Sequence, residues 1–380
     1  MTSVSRCQGP GQCGTVTCLF ASRKNNVTLR NILFSVVSAL GCPRPAWADP
    51  LRRMMGIDSE KILHGELTLT EKESRHIGDL SLKVAKRHSS MSAGSFFTET
   101  REMARDIPQR VQDFLVEFKR GARFDYCVIR GHLVDDDRIG KTPADWRYRP
   151  RPNREFPEEI PLLFYSHLIG EPFTWPTQQN GNLVNDVFPI RGYEQERLGN
   201  GSKLPLTFHT EDAFHSGRAD YLVLASLRNP NSVPLVVSRP DPGELSEQDL
   251  DLLFKENFRI IPDDSHLPEN NADESGHPDR NFEDIEKRFR DRESTAVLFG
   301  SRERPLLRFD ASHMEPRGDD SVRAFRAMHE SMEKNQVECA LDVGDHVILN
   351  NHRVAHKRNS FVARYDGTDR WLKRINIRAA

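Results

Sequence analysis

The segment Phe208-His209-Thr210-Glu211-Asp212 sets an imidazole and a carboxylate two residues apart. On an extended backbone alternate side chains share a face, so His209 and Glu211 point one way while Thr210 points the other. Far downstream, a second imidazole, His356, follows the turn at Asn350-Asn351 on what reads as a short strand. Two imidazoles and one carboxylate form the facial set that holds non-haem Fe(II) and leaves three positions open for a co-substrate and O₂. The His-x-Glu pair alone is weak. The chain has 14 histidines, and such a pair by itself is better read as a satisfied surface or core pair.

A second pattern raises the weight of the first. Arg370, Leu372 and Arg374 follow His356 and alternate onto one face of the last apolar strand. Two guanidinium groups turned inward are costly unless each meets an anion. Either this is a solvated edge strand, or the arginines bind carboxylates as bidentate pairs, one the distal carboxylate of 2-oxoglutarate and the other that of an amino-acid substrate.

These groups need a scaffold. Phe124–Gly131, Asn185–Ile190, Asp220–Leu227, Phe258–Pro262, Asp345–Asn351 and Arg370–Ile377 are short apolar, β-branched runs bounded by Gly, Pro, Asn and Asp, and they predict strands. Thr70 and Glu73 form a capping box that opens a helix over 71–88, with Ile77, Leu80 and Val84 on its apolar face. A second helix starts at Pro108 and buries Val111, Phe114, Leu115 and Phe118. Further helices are predicted near 157–169, 246–256 and 320–334, the last with Val322, Phe325, Met328 and Met332 on one side. No Gly-x-Gly-x-x-Gly opens a strand–helix unit, so the fold class is mainly β with flanking helices (α+β), a barrel or jelly roll rather than a doubly wound sheet.

Composition narrows the function. Of 380 residues, 37% are hydrophobic and 29% charged, enough for a sizeable core with a solvated surface. The formal charge is −2 and no basic block is present, so nucleic acid is excluded as a partner; no apolar run is long enough to span a bilayer, so membrane insertion is excluded too. The first 48 residues stand apart, with five basic residues, no acidic one and four of the six cysteines. Residues 1–55 read as a leader or a non-native upstream extension, disordered, with Met54 or Met55 as the start of the native chain; 56–380 read as a single domain with an N-terminal helical cover. The alternative is export, because the apolar stretch 31–41 precedes Ala46 and Ala48 at signal-peptidase spacing. Cys127 and Cys339 are too few for a disulfide framework and point to the cytoplasm.

The segments TQQNG, HTEDAFHSGRADY, LRNP, PDDSHL, LRFD, VAHKR and RYDGTDRWLKRINI, in that order over residues 60–378, resemble the clavaminate-synthase-like Fe(II)/2-oxoglutarate oxygenases, above all the bacterial hydroxylases of free L-arginine from peptide-antibiotic pathways. The resemblance implies a double-stranded β-helix, or jelly-roll, core. It implies that His209, Glu211 and His356 bind Fe(II), that Arg370 holds the C5 carboxylate of 2-oxoglutarate, that Arg374 holds the substrate α-carboxylate and that Gln178 meets its α-amino group. It also implies that acidic residues of a lid and of an Asp-x-Asp segment take the substrate guanidinium. Asp263 fills the lid position and Asp310 the first Asp-x-Asp position, but Ser312 stands at the second. The family's threonine after LRNP is also missing, with Ser232 or Ser238 as candidates to replace its hydroxyl. The divergent loop Tyr193–Lys203 is expected to shape the pocket above the substrate β and γ carbons.

The resulting expectation is a hydroxylase of a free cationic L-amino acid, arginine first, at the β (C3) or γ carbon, using Fe(II), 2-oxoglutarate and O₂. Lysine, ornithine, citrulline or a cyclic arginine derivative stand behind arginine. Halogenases related to the family carry a small residue at the Glu211 position, so hydroxylation rather than chlorination is expected. Three rivals stay open: a silent jelly-roll binding protein, a zinc hydrolase and an oxygenase acting on a protein residue. The paired arginines argue against the hydrolase, whose water needs no dicarboxylate anchor. Asp212, Arg218 and Asp220 are read as structural ion pairs, and Trp371 as core.

Overall fold

The computed structural model describes residues 2–7, 13–18, 62–121, 123–148, 153–271 and 282–379. The chain divides into two units, Met1–Asp58 and Ser59–Ala380. In the first, Thr2–Cys7 and Cys13–Cys18 pair as antiparallel strands. The apolar stretch 31–41, Ala46, Ala48, Met54 and Met55 lie outside the described residues.

The second unit is built on two facing sheets. The larger runs, in spatial order, His64–Thr68, Tyr126–Arg130, His346–Asn350, Tyr221–Arg228, Trp371–Ala379 and Gly170–Phe173, with Asn185–Val187 also paired to Trp371–Ala379. The smaller runs Val337–Cys339, Leu235–Ser238, Ala355–Arg358 and Leu206–His209. All these pairings are antiparallel except His64–Thr68 with Tyr126–Arg130. Every strand predicted from the sequence is present.

Alternation along the strands explains why the predicted runs read as continuously apolar: both faces are buried. Leu222, Leu224, Val347 and Leu349 of the larger sheet meet Leu235, Val237 and Cys339 of the smaller in one core. The opposite face of the larger sheet, with Val223, Ala225, Ile348 and Ile375, packs under the helices Glu71–Arg87, Gly94–Met103, Gln109–Lys119 and Phe156–Ile169. The outer face of the smaller sheet, with Phe208, Val236 and Ala355, packs under Glu247–Leu253 and Asp319–Lys334. This is a jelly roll covered by helices on both sides.

The capping box at Thr70 and Glu73 forms as predicted. In Asp319–Lys334 the buried side is set by Ser321, Ala324, Met328 and Met332, whereas Val322, one residue or about 100° round the helix from Ser321, is exposed. The helices Gly94–Met103 and Glu283–Asp291 had no counterpart in the sequence reading. Among the described residues no helix is long and apolar enough to cross a membrane.

Candidate active site

His209 ends the strand Leu206–His209, and His356 lies opposite it in register on the neighbouring strand Ala355–Arg358. The pairing sets the two rings side by side with centroids 4.3 Å apart. Glu211 sits just beyond the strand, ahead of Asp212, whose φ of 51° turns the chain. Its Oε2 lies 4.0 Å from His209 Nε2 and 3.9 Å from His356 Nε2. One ligand atom from each residue falls within 4.8 Å of the others, a convergence that suits one metal ion. Thr210 turns away, its hydroxyl bonded to the Phe309 carbonyl.

The surroundings prepare the two imidazoles as ligands, while burial works against the charged form of the carboxylate. His209 Nδ1 donates to the Thr207 carbonyl at 2.8 Å, which leaves Nε2 as the ring nitrogen directed at Glu211. Burial, then the neighbouring His209, pushes the His356 pKa well below the usual imidazole value and keeps the ring neutral. Burial raises the Glu211 carboxyl, with the Arg374 charge opposing it. Asn351, which the sequence showed only as part of a turn, locks the Glu211 peptide: its Oδ1 accepts from Glu211 N at 2.7 Å, and its Nδ2 donates to the carbonyls of Glu211 at 3.0 Å and Ala219 at 2.8 Å.

The triad lies in a cleft of about 860 Å³, counted with its open mouth, whose walls include Arg370, Arg374, Asp263, Ser265, Asp310 and Ser312. Arg370 is 5% exposed, and no hydrogen bond or ion pair reaches its guanidinium among the described residues; its Nε is a buried orphan. Burial and the nearby Arg358 charge pull its pKa down to about 9. A buried cation without a partner marks an anion site. Arg374 is engaged, by Glu211 Oε1 and by Asn185 Oδ1 at 2.9 Å, and only its Nε is left without a partner. Gln178, not itself a lining residue, donates to the Oγ of the wall residue Ser265 at 2.9 Å, and its Oε1 is a buried acceptor with no partner.

At the other end, Asp263 both lines the cleft and caps the turn Asp264–His266, accepting from Ser265 N at 2.9 Å. Asp310 pairs with His313, not with Arg308 or Arg302, which bond elsewhere. Ser312 shares a 2.7 Å hydrogen bond with Thr207. Neither serine proposed to replace the missing threonine reaches the cleft: Ser238 donates to the Met332 carbonyl, Ser232 lies in an exposed turn, and Leu235 is the residue of that strand in the wall. Arg197, Leu198 and Gly199 of the divergent loop do line it.

Asp212 and Asp220 are paired, but with histidines: Asp212 with His266 at 2.9 Å and Asp220 with His352 at 2.7 Å, while Arg218 holds His352 Nδ1 and the Leu307 carbonyl. Trp371 is 1% exposed and packs with Phe188, away from the cleft. Asn351 and Ser265 were missed by the sequence reading because the contacts that give them meaning join segments far apart in the chain, and His313 because its three-residue spacing from Asp310 is no signal of a pair by itself.

Residues 261–376 match the family described as "Taurine catabolism dioxygenase TauD, TfdA family". The chain is 36% identical over 318 residues to an enduracididine beta-hydroxylase of Streptomyces hygroscopicus, covering 82% of this chain and 93% of that one. It is also 36% identical over 322 residues to an L-ornithine/L-arginine 3-hydroxylase of Catenulispora acidiphila, with the same coverage. A crystal structure of the non-heme iron oxygenase OrfP in complex with Fe, succinate and (3S)-hydroxy-L-Arg superposes with a TM-score of 0.80 at 44% identity, over 83% of this chain and 94% of that one. The same oxygenase in complex with Fe and alpha-ketoglutaric acid superposes with a TM-score of 0.74 at 42% identity, with the same coverage.

Proposed function

The chain belongs to the clavaminate-synthase-like Fe(II)/2-oxoglutarate-dependent oxygenases of the TauD, TfdA family, and from that premise we propose that it hydroxylates free L-arginine at C3. The observation that carries the reading is the convergence of His209, Glu211 and His356 in one cleft with the unpartnered guanidinium of Arg370. The balanced reaction joins one C–H of the amino acid, 2-oxoglutarate and O₂ to give the hydroxy amino acid, succinate and CO₂. Iron, when bound, supplies the O₂ activation and the oxidative decarboxylation.

In this reading His209, Glu211 and His356 hold the metal and Arg370 takes the distal carboxylate of 2-oxoglutarate. Arg374, braced by Glu211 and Asn185, offers its Nε to the substrate α-carboxylate, and Gln178 Oε1 accepts from the α-ammonium group. Asp263 and Asp310 face the cationic side chain, with the Ser312 hydroxyl in place of a further carboxylate. Holding both reactants in one orientation is the protein's share of the catalysis. The C4 position is the alternative site. A modified free amino acid fits a specialised-metabolite or peptide-antibiotic pathway, and the buried free thiols of Cys127 and Cys339 support a cytoplasmic setting.

Mass spectrometry of L-arginine, lysine, ornithine, citrulline and asparagine incubated with the protein, Fe(II), ascorbate, 2-oxoglutarate and O₂ tests this. A 2-oxoglutarate-dependent gain of one oxygen by arginine, with fragment ions placing it on C3, is the expected result. Succinate release with no oxygen gained by a cationic member overturns the substrate.

A further inference from the structure

The acidic end of the cleft holds a cation of its own. His313 Nδ1 lies 3.0 Å from Asp310 Oδ2, and the backbone N–H groups of Ser312 and His313 donate to Asp310 Oδ1 at 2.8 and 3.0 Å. Both oxygens of Asp310 are therefore occupied. Across the cleft wall His313 Nε2 lies 3.9 Å from Asp264 Oδ1, on the turn that Asp263 caps. Burial alone would strip the proton from His313, but Asp264 and Asp310 overcome it and its pKa is pushed up to about 10. Its charge also reaches Asp263: burial raises that carboxyl, and His266 and His313 together bring it below its usual value.

A guanidinium binds best where a carboxylate offers two free oxygens. Here Asp310 Oδ1 already accepts two backbone N–H groups and Oδ2 faces the His313 ring, so a bidentate guanidinium has to compete with His313, and the more open acceptor is Asp263 Oδ2, with His266 at 3.9 Å. Beside them, Thr207 and Ser312 form a hydroxyl pair that can turn to donate or accept. A urea group, which carries both donors and an acceptor, can use these groups without displacing a charge.

Resting on the amino-acid-hydroxylase reading above, we propose that His313 is a specificity-determining residue, a built-in counter-charge that competes with a cationic side chain for Asp310 and so lets neutral ureido side chains of arginine's length, such as that of citrulline, share the site. An incoming guanidinium has to share carboxylates that are already paired, and a ureido group does not.

The test compares KM for L-arginine and L-citrulline in the iron-loaded enzyme with saturating 2-oxoglutarate, for the native protein and for His313→Asn and Ser312→Asp. The native enzyme is expected to accept both. His313→Asn frees Asp310, so the arginine KM should fall about fivefold while that of citrulline does not fall, a change on the scale of one ordinary hydrogen bond. Ser312→Asp leaves the turn intact and adds a carboxylate, and should shift the ratio the same way. An unchanged ratio in both variants overturns the proposal, as does a parallel rise of both KM values in His313→Asn, which would make His313 a mere latch of the turn. If His313→Asn does not fold, His313→Gln takes its place and the same ratio decides, because Ser312→Asp adds a carboxylate whether or not His313 competes. Native enzyme that hydroxylates arginine with an unmoved ratio keeps the proposed function and sinks only the role of His313; native enzyme that oxidises neither amino acid overturns both.

Discussion

The two ends of the cleft are built differently. At the metal end, His209 and His356 come from paired strands in fixed register, Arg374 from a strand of the facing sheet, and Asn351 pins the Glu211 peptide. At the side-chain end, Asp263, Ser265, Ser312 and His313 come from turns and connecting segments held by local hydrogen bonds, and Asp310 is tied to the other end by a single bridge to His209. Strand ladders fix ligand atoms that chemistry requires in one geometry, whereas turns tolerate the substitutions that retune what is bound. The relatives share the first end's chemistry by name while differing in the amino acid named.

If that contrast holds, changes at the metal end should remove catalysis and changes at the other end should redistribute it. The largest effect is expected for Glu211→Ala or His356→Ala, each of which leaves two protein ligands: Fe(II) titration should show lost binding, and coupled succinate formation should vanish. Wild-type succinate production in both would break the metal assignment. Arg370→Ala should raise the KM for 2-oxoglutarate roughly 100-fold, as expected for a buried charge-assisted pair, with a much smaller effect on arginine. Asn351→Ala should weaken iron binding about 10–100-fold with the ligands intact, the usual scale for a group that orients a ligand. Retained affinity would show that the strand pairing alone suffices. At the other end, Asp310→Ala should raise the KM for arginine about tenfold more than that for asparagine, the order of one hydrogen bond to a charged group. Equal changes would take Asp310 out of side-chain recognition.

Much of the metal end was legible in the chain. The His209–Glu211 spacing, the strand carrying His356 and the alternation of Arg370, Leu372 and Arg374 are local patterns with periods set by backbone geometry, and the facing sheets place them together. The capping box and the apolar runs were legible for the same reason: they depend on neighbours within a few residues. Asp263 and Asp310 could be named from the sequence motifs, yet their partners could not.

What the sequence alone determined is therefore the fold class and the residue types that meet at the metal end of the cleft: His209, Glu211, His356, Arg370 and Arg374. Tertiary structure decided which charges are free. Arg370 is left without a partner, Arg374 is bound to Glu211, Asp212 and Asp220 go to histidines instead of Arg218, and Asp310 is already paired with His313. The physical reason is that an ion pair or an orphaned charge is a property of distance and burial: Arg374 and Glu211, or Asp220 and His352, meet from segments more than a hundred residues apart, Asp310 and His313 meet through the packing of one turn, and no local period encodes either.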